Sequence, residues 1–225
     1  MILLSGQQTR PATTKQMTDT LRDRNKQVAR DAVLDAAERL LCSSDTADFS
    51  MRALAAEAGV GFTTPFNHFG NKTAIIRAIS ARLIERMAAR FQTKTKPDGL
   101  IDRTFLLADV AVELVLKQPE VHRAVIGSLG VASSTPSAVM PQSQSLWSLV
   151  LEGKTSELAR DAKPVANQLP EQLALAFRGC LSFWVAGEIG DEQLCGTVRR
   201  AVSLVLLGLV SPKHRVRLLT QLAEG

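Results

Sequence analysis

The stretch SMRALAAEAGVGFTTPFNHFGNKTAII, residues 50–76, decides how the rest of the chain is read. The Ser50 hydroxyl can accept a hydrogen bond from a free backbone N–H, so a helix is predicted from Met51 to Ala58. Leu54 and Ala55 fall on its inward face, and Gly59 supplies the left-handed residue on which helices commonly end. AGVG, Ala58–Gly61, is then a tight turn into a third, very short helix. Two short helices joined in this way form a helix-turn-helix unit. Asn71 caps a long fourth helix with Ile75, Ile76, Ile79, Leu83, Met87 and Phe91 on its buried side. Between turn and cap, GFTTPFNHFG crowds aromatic side chains, a histidine and small polar residues into a segment that a mere connection would not need.

Upstream, a helical pattern starts near Lys26: Ala29, Val33, Ala36, Ala37, Leu40 and Leu41 recur at spacings of three and four. Arg30, Asp31, Asp35, Glu38 and Arg39 fall on the opposite, solvent side. Residues 1–24 lack sustained apolar periodicity and are read as a flexible, partly basic N-terminal arm. Downstream, KTKPDG at residues 94–99 marks a domain boundary, giving 25–96 and 97–225 as two helical domains. Helices are predicted over 100–117, 119–129, 142–159, 170–189, 191–210 and 212–222, with 130–141 as a loop. Pro119, Pro170 and Pro212 suit a first helical position, where the missing N–H does no harm. No sustained strand alternation is present, so the fold class is all-α.

The net charge of +5 is uneven: residues 1–96 carry +6 and the remainder −1. A basic first domain suits an anionic partner, either nucleic acid or a membrane surface. The densest apolar run, 201–210, is about half of the ~20 residues that a spanning helix needs. No secretion signal is legible, and Cys42, Cys180 and Cys195 are odd in number and far apart, which favours reduced thiols and a cytoplasmic location. No Gly-rich phosphate loop, His/Cys metal spacing or GxSxG motif occurs, and His68, His122 and His214 are widely separated. Neither an enzyme nor a cofactor is expected.

The stretch 50–76, within a match running from about Lys26 to Ile79, resembles the recognition region of the TetR family of transcriptional repressors. The small-Gly-Val turn, the aromatic-x-His-Phe run and the Asn-Lys pair opening the next helix carry the likeness. The second half is similar only in being helical and in its long closing helix pair. The resemblance implies an N-terminal three-helix helix-turn-helix domain followed by a larger ligand-binding and dimerisation bundle. It implies a homodimer reading a near-palindromic operator in double-stranded DNA and responding to a small-molecule effector.

By resemblance, Arg52, Phe62, Thr63 and Asn67 face bases, while Thr64, His68 and Lys72 hold phosphates and Phe66 packs beside the sugar-phosphate chain. Relatives carry tyrosine where Phe66 stands, and this chain has no tyrosine. Pro65 replaces an aliphatic residue, so a short recognition helix starting one residue late is expected. Phe69 is read as core. An apolar effector pocket is placed among Phe105, Val112, Leu116, His122, Val125, Leu146, Trp147 and Val150, each of which also fits ordinary core. The dimer interface is placed at Phe177, Leu181, Trp184, Val198, Val202, Val205 and Leu209, beside a small-residue side formed by Gly179, Ser182 and Ala186. A helical sensor or adaptor without operator binding is the alternative.

Overall fold

The computed structural model describes residues 13–43, 48–130, 137–153 and 155–224. Among the described residues ten α-helices form: α1 (Thr13–Ser43), α2 (Met51–Glu57), α3 (Thr64–Phe69), α4 (Lys72–Thr93), α5 (Leu100–Leu116), α6 (Pro119–Ser128), α7 (Val139–Ser148), α8 (Leu169–Val185), α9 (Asp191–Leu207) and α10 (Pro212–Glu224). A 3-10 turn at Lys163–Gln168 leads into α8. Among the described residues there is no strand, only an isolated antiparallel bridge between Leu158 and Val210.

Two cores organise these helices. The first joins Val33, Ala36, Ala37 and Leu41 of α1 to Leu54 of α2, Ile75, Ile76 and Ile79 of α4, and Val121 and Val125 of α6. The second collects Leu83, Met87 and Phe91 of α4 with α5 and α7–α10. The division therefore falls inside α4, a rod of 22 residues or about 33 Å. α6 also enters both, since Ile126 belongs to the second core.

Ion pairs brace the first domain. Arg82 of α4 reaches Glu38 at 2.8 Å and Asp35 at 2.6 Å on α1. Arg39 meets Glu57 of α2 at 2.6 Å. Glu38, expected on the solvent side, is buried because two α4 guanidiniums, those of Arg82 and Arg86, converge on it.

The helix limits depart from expectation in two places. α1 starts at Thr13 rather than Lys26, so the described part of the expected arm is helical. Its residues 13–25 contain neither Gly nor Pro, and a helix already nucleated on a packed face propagates through such sequence. The helix expected over 142–159 is shorter and earlier. Arg103 of α5 donates to the carbonyls of Leu149 at 2.7 Å and Val150 at 3.2 Å, taking the groups that would continue α7. Gly153 then turns the chain at φ +76°. The Glu157 carboxylate accepts from Ile101 N at 2.9 Å, capping the start of α5. Of the loop placed at 130–141, residues 131–136 lie outside the described residues and 139–141 open α7.

His122 is buried where α5 passes into α6, its Nδ1–H donating to Val115 O at 2.7 Å. Burial pushes its pKa down, against the opposing pull of that hydrogen bond. The unfolded chain then binds a proton on this ring that the folded chain resists. Stability from His122 is fully present above the unfolded value near 6.5 and declines as pH falls below it. Urea denaturation between pH 7.5 and 5 should show this loss, and His122→Asn should flatten the profile over that interval. An unchanged slope in the variant would assign the acid sensitivity elsewhere.

Candidate nucleic-acid interface

Local chemistry sets the angle between α2 and α4 and suspends α3 between them. Ser50 Oγ accepts from Ala53 N at 3.1 Å, and Asn71 Oδ1 accepts from Ala74 N at 2.9 Å. Gly59 and Gly70 adopt φ +65° and +78°, a left-handed backbone that side chains with a Cβ disfavour. α3 begins at Thr64 with Pro65 in its first turn, where the proline ring meets no preceding helical carbonyl. The displacement expected from Pro65 is what the helix adopts.

α3 has one anchored side and one open side. Pro65 is buried, and Phe69 packs against the first core. Arg30 of α1 lies over the Phe69 ring, 4.3 Å from its centroid, and donates to His68 O at 3.3 Å. Arg30 is thus a positioning residue for α3. Sequence periodicity assigned it to solvent because the stacking partner lies 39 positions away.

Outward, Thr63 and Asn67 are exposed, as is Arg52 on α2. Phe62 and Phe66 project beside them, 54% and 39% exposed, in an edge-to-face pair with centroids 5.5 Å apart. Aromatic rings held open on a polar surface mark a contact face rather than a core. Thr64 and His68 are half-buried at its border. The eight residues expected at the interface therefore lie along α2, the turn into α3, α3 itself and the first turn of α4.

Lys72, at the first position of α4, is engaged. It pairs with Asp48 and sits 4.9 Å from the centroid of Phe49. Partial burial pushes its pKa down even beside that carboxylate. Next to it, the first backbone amides of α4 have no partner within the helix and carry the positive end of its dipole. This rim suits an anion.

Residues 33–79 match the model for bacterial regulatory proteins of the tetR family. The match spans the helix-turn-helix, the last third of α1 and the first two turns of α4. Residues 33–79 thus form a helix-turn-helix segment similar to that of the tetR family. Two uncharacterised HTH-type transcriptional regulators from strains of Mycobacterium tuberculosis are each 34% identical over 77 residues, which is 34% of this chain and 38% of theirs. The chain thus aligns with well under half the length of those relatives.

The all-α architecture extends the likeness beyond that domain. A TetR transcriptional regulator from Rhodococcus sp. RHA1 superposes with a TM-score of 0.64 at 21% identity, covering 81% of this chain and 97% of its own. SmeT, the repressor of the Stenotrophomonas maltophilia multidrug efflux pump SmeDEF, superposes with a TM-score of 0.57 at 20% identity, over 81% and 91% of the two chains. At these identities the likeness establishes a shared fold.

The residues expected at the other sites separate. Only Leu146 and Trp147 of the expected pocket line a cavity among α4, α6, α7 and α8. Phe105 borders a different cavity, beside Arg199 and Ser203. Val112 and Val150 are filled core, Leu116 packs against that core, and Val125 belongs to the first core. His122 is spent on its hydrogen bond to Val115. Ser80 and Arg178, which sequence reading passed over, line the inner cavity with Met87 and Trp147.

The expected dimer residues also turn inward. Phe177, Leu181, Trp184, Val198 and Val202 are buried between α8, α9 and the second core, with Val205 and Leu209 packed against it. Trp184 Nε1 donates to Asp191 at 2.7 Å, and Arg123 lies 4.3 Å from the Trp184 ring centroid, so this indole is enclosed within its own chain. The open faces carry Leu175 and Phe183 on α8 and Leu204 on α9, exposed by 47, 53 and 63%. Gly179 lies midway along the α8 stripe, where a Cβ would meet nothing within 4 Å. The three cysteines are free. No helix among the described residues is long and apolar enough to cross a membrane.

Proposed function

We propose that the protein is a cytoplasmic, DNA-binding transcriptional regulator that holds a near-palindromic operator as a homodimer and releases it when a small lipophilic molecule binds the helical bundle. The observation that carries this reading is α3 itself. Arg30 and Phe69 fix its inner side, while Thr63, Asn67, Phe62 and Phe66 stand open beside Arg52. Such a helix fits the major groove, with Phe62 suited to a thymine methyl and Arg52 to the paired acceptors of guanine. Lys72, Thr64 and His68 border it on the side of the phosphates, and a phosphate would take the place of Asp48 on Lys72.

Pairing through the exposed stripe of Leu175, Gly179 and Phe183 with Leu204 would hide apolar surface and set two copies of α3 at a fixed separation. Successive major grooves lie about 34 Å apart, the distance the pair must match. α4 and α6 enter both cores, so a ligand favouring another packing of the bundle would alter that separation. Shifting the protein from mostly bound to mostly released requires a differential affinity of about 5 kcal/mol.

Fluorescence anisotropy with operator and random duplexes across a salt series tests the DNA assignment. Lys72→Ala should weaken both duplexes alike and reduce the salt slope by about one unit. Arg52→Ala should cost about 1–3 kcal/mol on the operator and relax preference at one base pair. Salt-independent binding, or equal losses on both duplexes for Arg52→Ala, would contradict these roles.

A further inference from the structure

The inner cavity and the groove outside it differ in chemistry. The inner cavity is small, about 50 Å³, with Ser80, Ser143, Trp147 and Arg178 among its walls. The groove between α4 and α7 is larger, about 350 Å³, and its walls are mainly Ala81, Ile84, Ala88, Pro141 and Leu149. Ile84 and Leu146 border both, so the two spaces adjoin. A liquid water occupies about 30 Å³, so the inner space holds a head group and not a whole molecule. The outer space is at the lower end of the range for small-molecule sites.

The polar groups at the inner end supply donors in excess. Trp147 is fully buried, and its Nε1–H has no hydrogen-bond partner. Leaving such a donor unmade in a dry interior forfeits the hydration it would have in water. Arg178 is half-buried, donates to Ile126 O at 3.0 Å, and has no carboxylate partner among the described residues. Burial pushes its pKa down, the sign of a cation in apolar surroundings without a counter-charge. At the groove's rim Glu85 carries the opposite charge and disfavours an anion lying outermost.

We infer that the two spaces together take an amphipathic carboxylate, its acid group received by Trp147 Nε1 and Arg178 and its apolar chain laid between Ile84 and Leu149. This assignment rests on the proposed regulator reading and gives its effector a chemical class. The small lipophilic molecule of that reading is thereby an anion with an apolar tail. The unpaired Trp147 donor and the Arg178 cation at the inner end, with carboxylate at the rim, orient it head-inward.

Titrating the full-length protein with decanoate, decanol and decylamine, followed by calorimetry and tryptophan emission, tests the assignment. Decanoate should bind at least tenfold more tightly than decanol, with decylamine weakest. Arg178→Gln should erase the preference for the acid while leaving decanol affinity within about twofold, and Arg178→Lys should restore part of it. Trp147→Phe should weaken decanoate about tenfold, the size of a lost hydrogen bond to a charged group, and remove the emission change. Equal binding of acid and alcohol, absence of decanoate binding, or an acid preference surviving Arg178→Gln would overturn it. Arg178-dependent decanoate binding without effect on operator occupancy would instead overturn the regulatory reading and leave the site intact. Operator release by a neutral or cationic molecule, with decanoate inert, would do the reverse.

Discussion

Phe183→Asp is expected to leave the protein monomeric at micromolar concentration and to lower operator affinity by a factor of about 10²–10⁴. The side chain is more than half exposed on a stripe with Leu175, so an aspartate there is solvated in a monomer and the fold keeps its core. In a dimer the same carboxylate would face its own twofold copy across apolar surface, desolvated and beside a like charge. The loss in DNA binding follows from valency: once joined, the second recognition helix binds from an effective concentration that a free monomer cannot reach. Sedimentation velocity and operator titration on the same preparation measure both effects. Trp184→Asp on the same helix should unfold the bundle instead, since that indole is fully buried and bonded to Asp191. A dimeric Phe183→Asp would move the interface to another face.

Thr63→Asp is the second large effect, with binding and folding expected to part company. Thr63 precedes the first residue of α3 and makes no side-chain capping bond, so aspartate is tolerated, and its charge is favourable at a helix start. The melting temperature should stay within about 2 °C, as for surface changes away from the core. Opposite DNA, the new carboxylate meets phosphates at close range, where like charges cost several kcal/mol. Affinity for operator and random duplexes should therefore fall about 100-fold or more at moderate salt. Wild-type binding in this variant would remove α3 from the interface.

Both predictions depend on how side chains partition between inside and outside, and that partition was unevenly legible in the sequence. Ser50, Gly59, Asn71 and Pro65 act on their own backbone within a few positions, so helix starts, the turn and the late start of α3 could be read directly. The inward face of α4 was equally readable, because Ile75 through Phe91 keep one period along a long helix. Arg30, Glu38 and Arg103 were not readable in this way. Their partners, Phe69, Arg82 and the carbonyls of Leu149 and Val150 just past α7, come from distant parts of the chain, and a charged residue at a polar position looks solvated until those partners arrive.

α8 misled for a different reason. Leu173, Phe177, Leu181 and Trp184 form the more apolar side, and the chain uses it for its own core. The open side is sparser, with Gly179 and Ser182 between Leu175 and Phe183, so hydrophobicity alone does not show which side the chain's own core will take. The cavity residues were missed because Ser80 and Arg178 are polar and an apolar pocket was sought.

Selection of bound sequences from a random duplex library by the purified full-length protein tests the central claim most directly. One enriched motif with twofold symmetry is expected, its half-sites centred about one helical turn apart or a small multiple of it, and lost from the library bound by Thr63→Asp. A library that emerges unenriched, or an enriched motif that Thr63→Asp still selects, would contradict it.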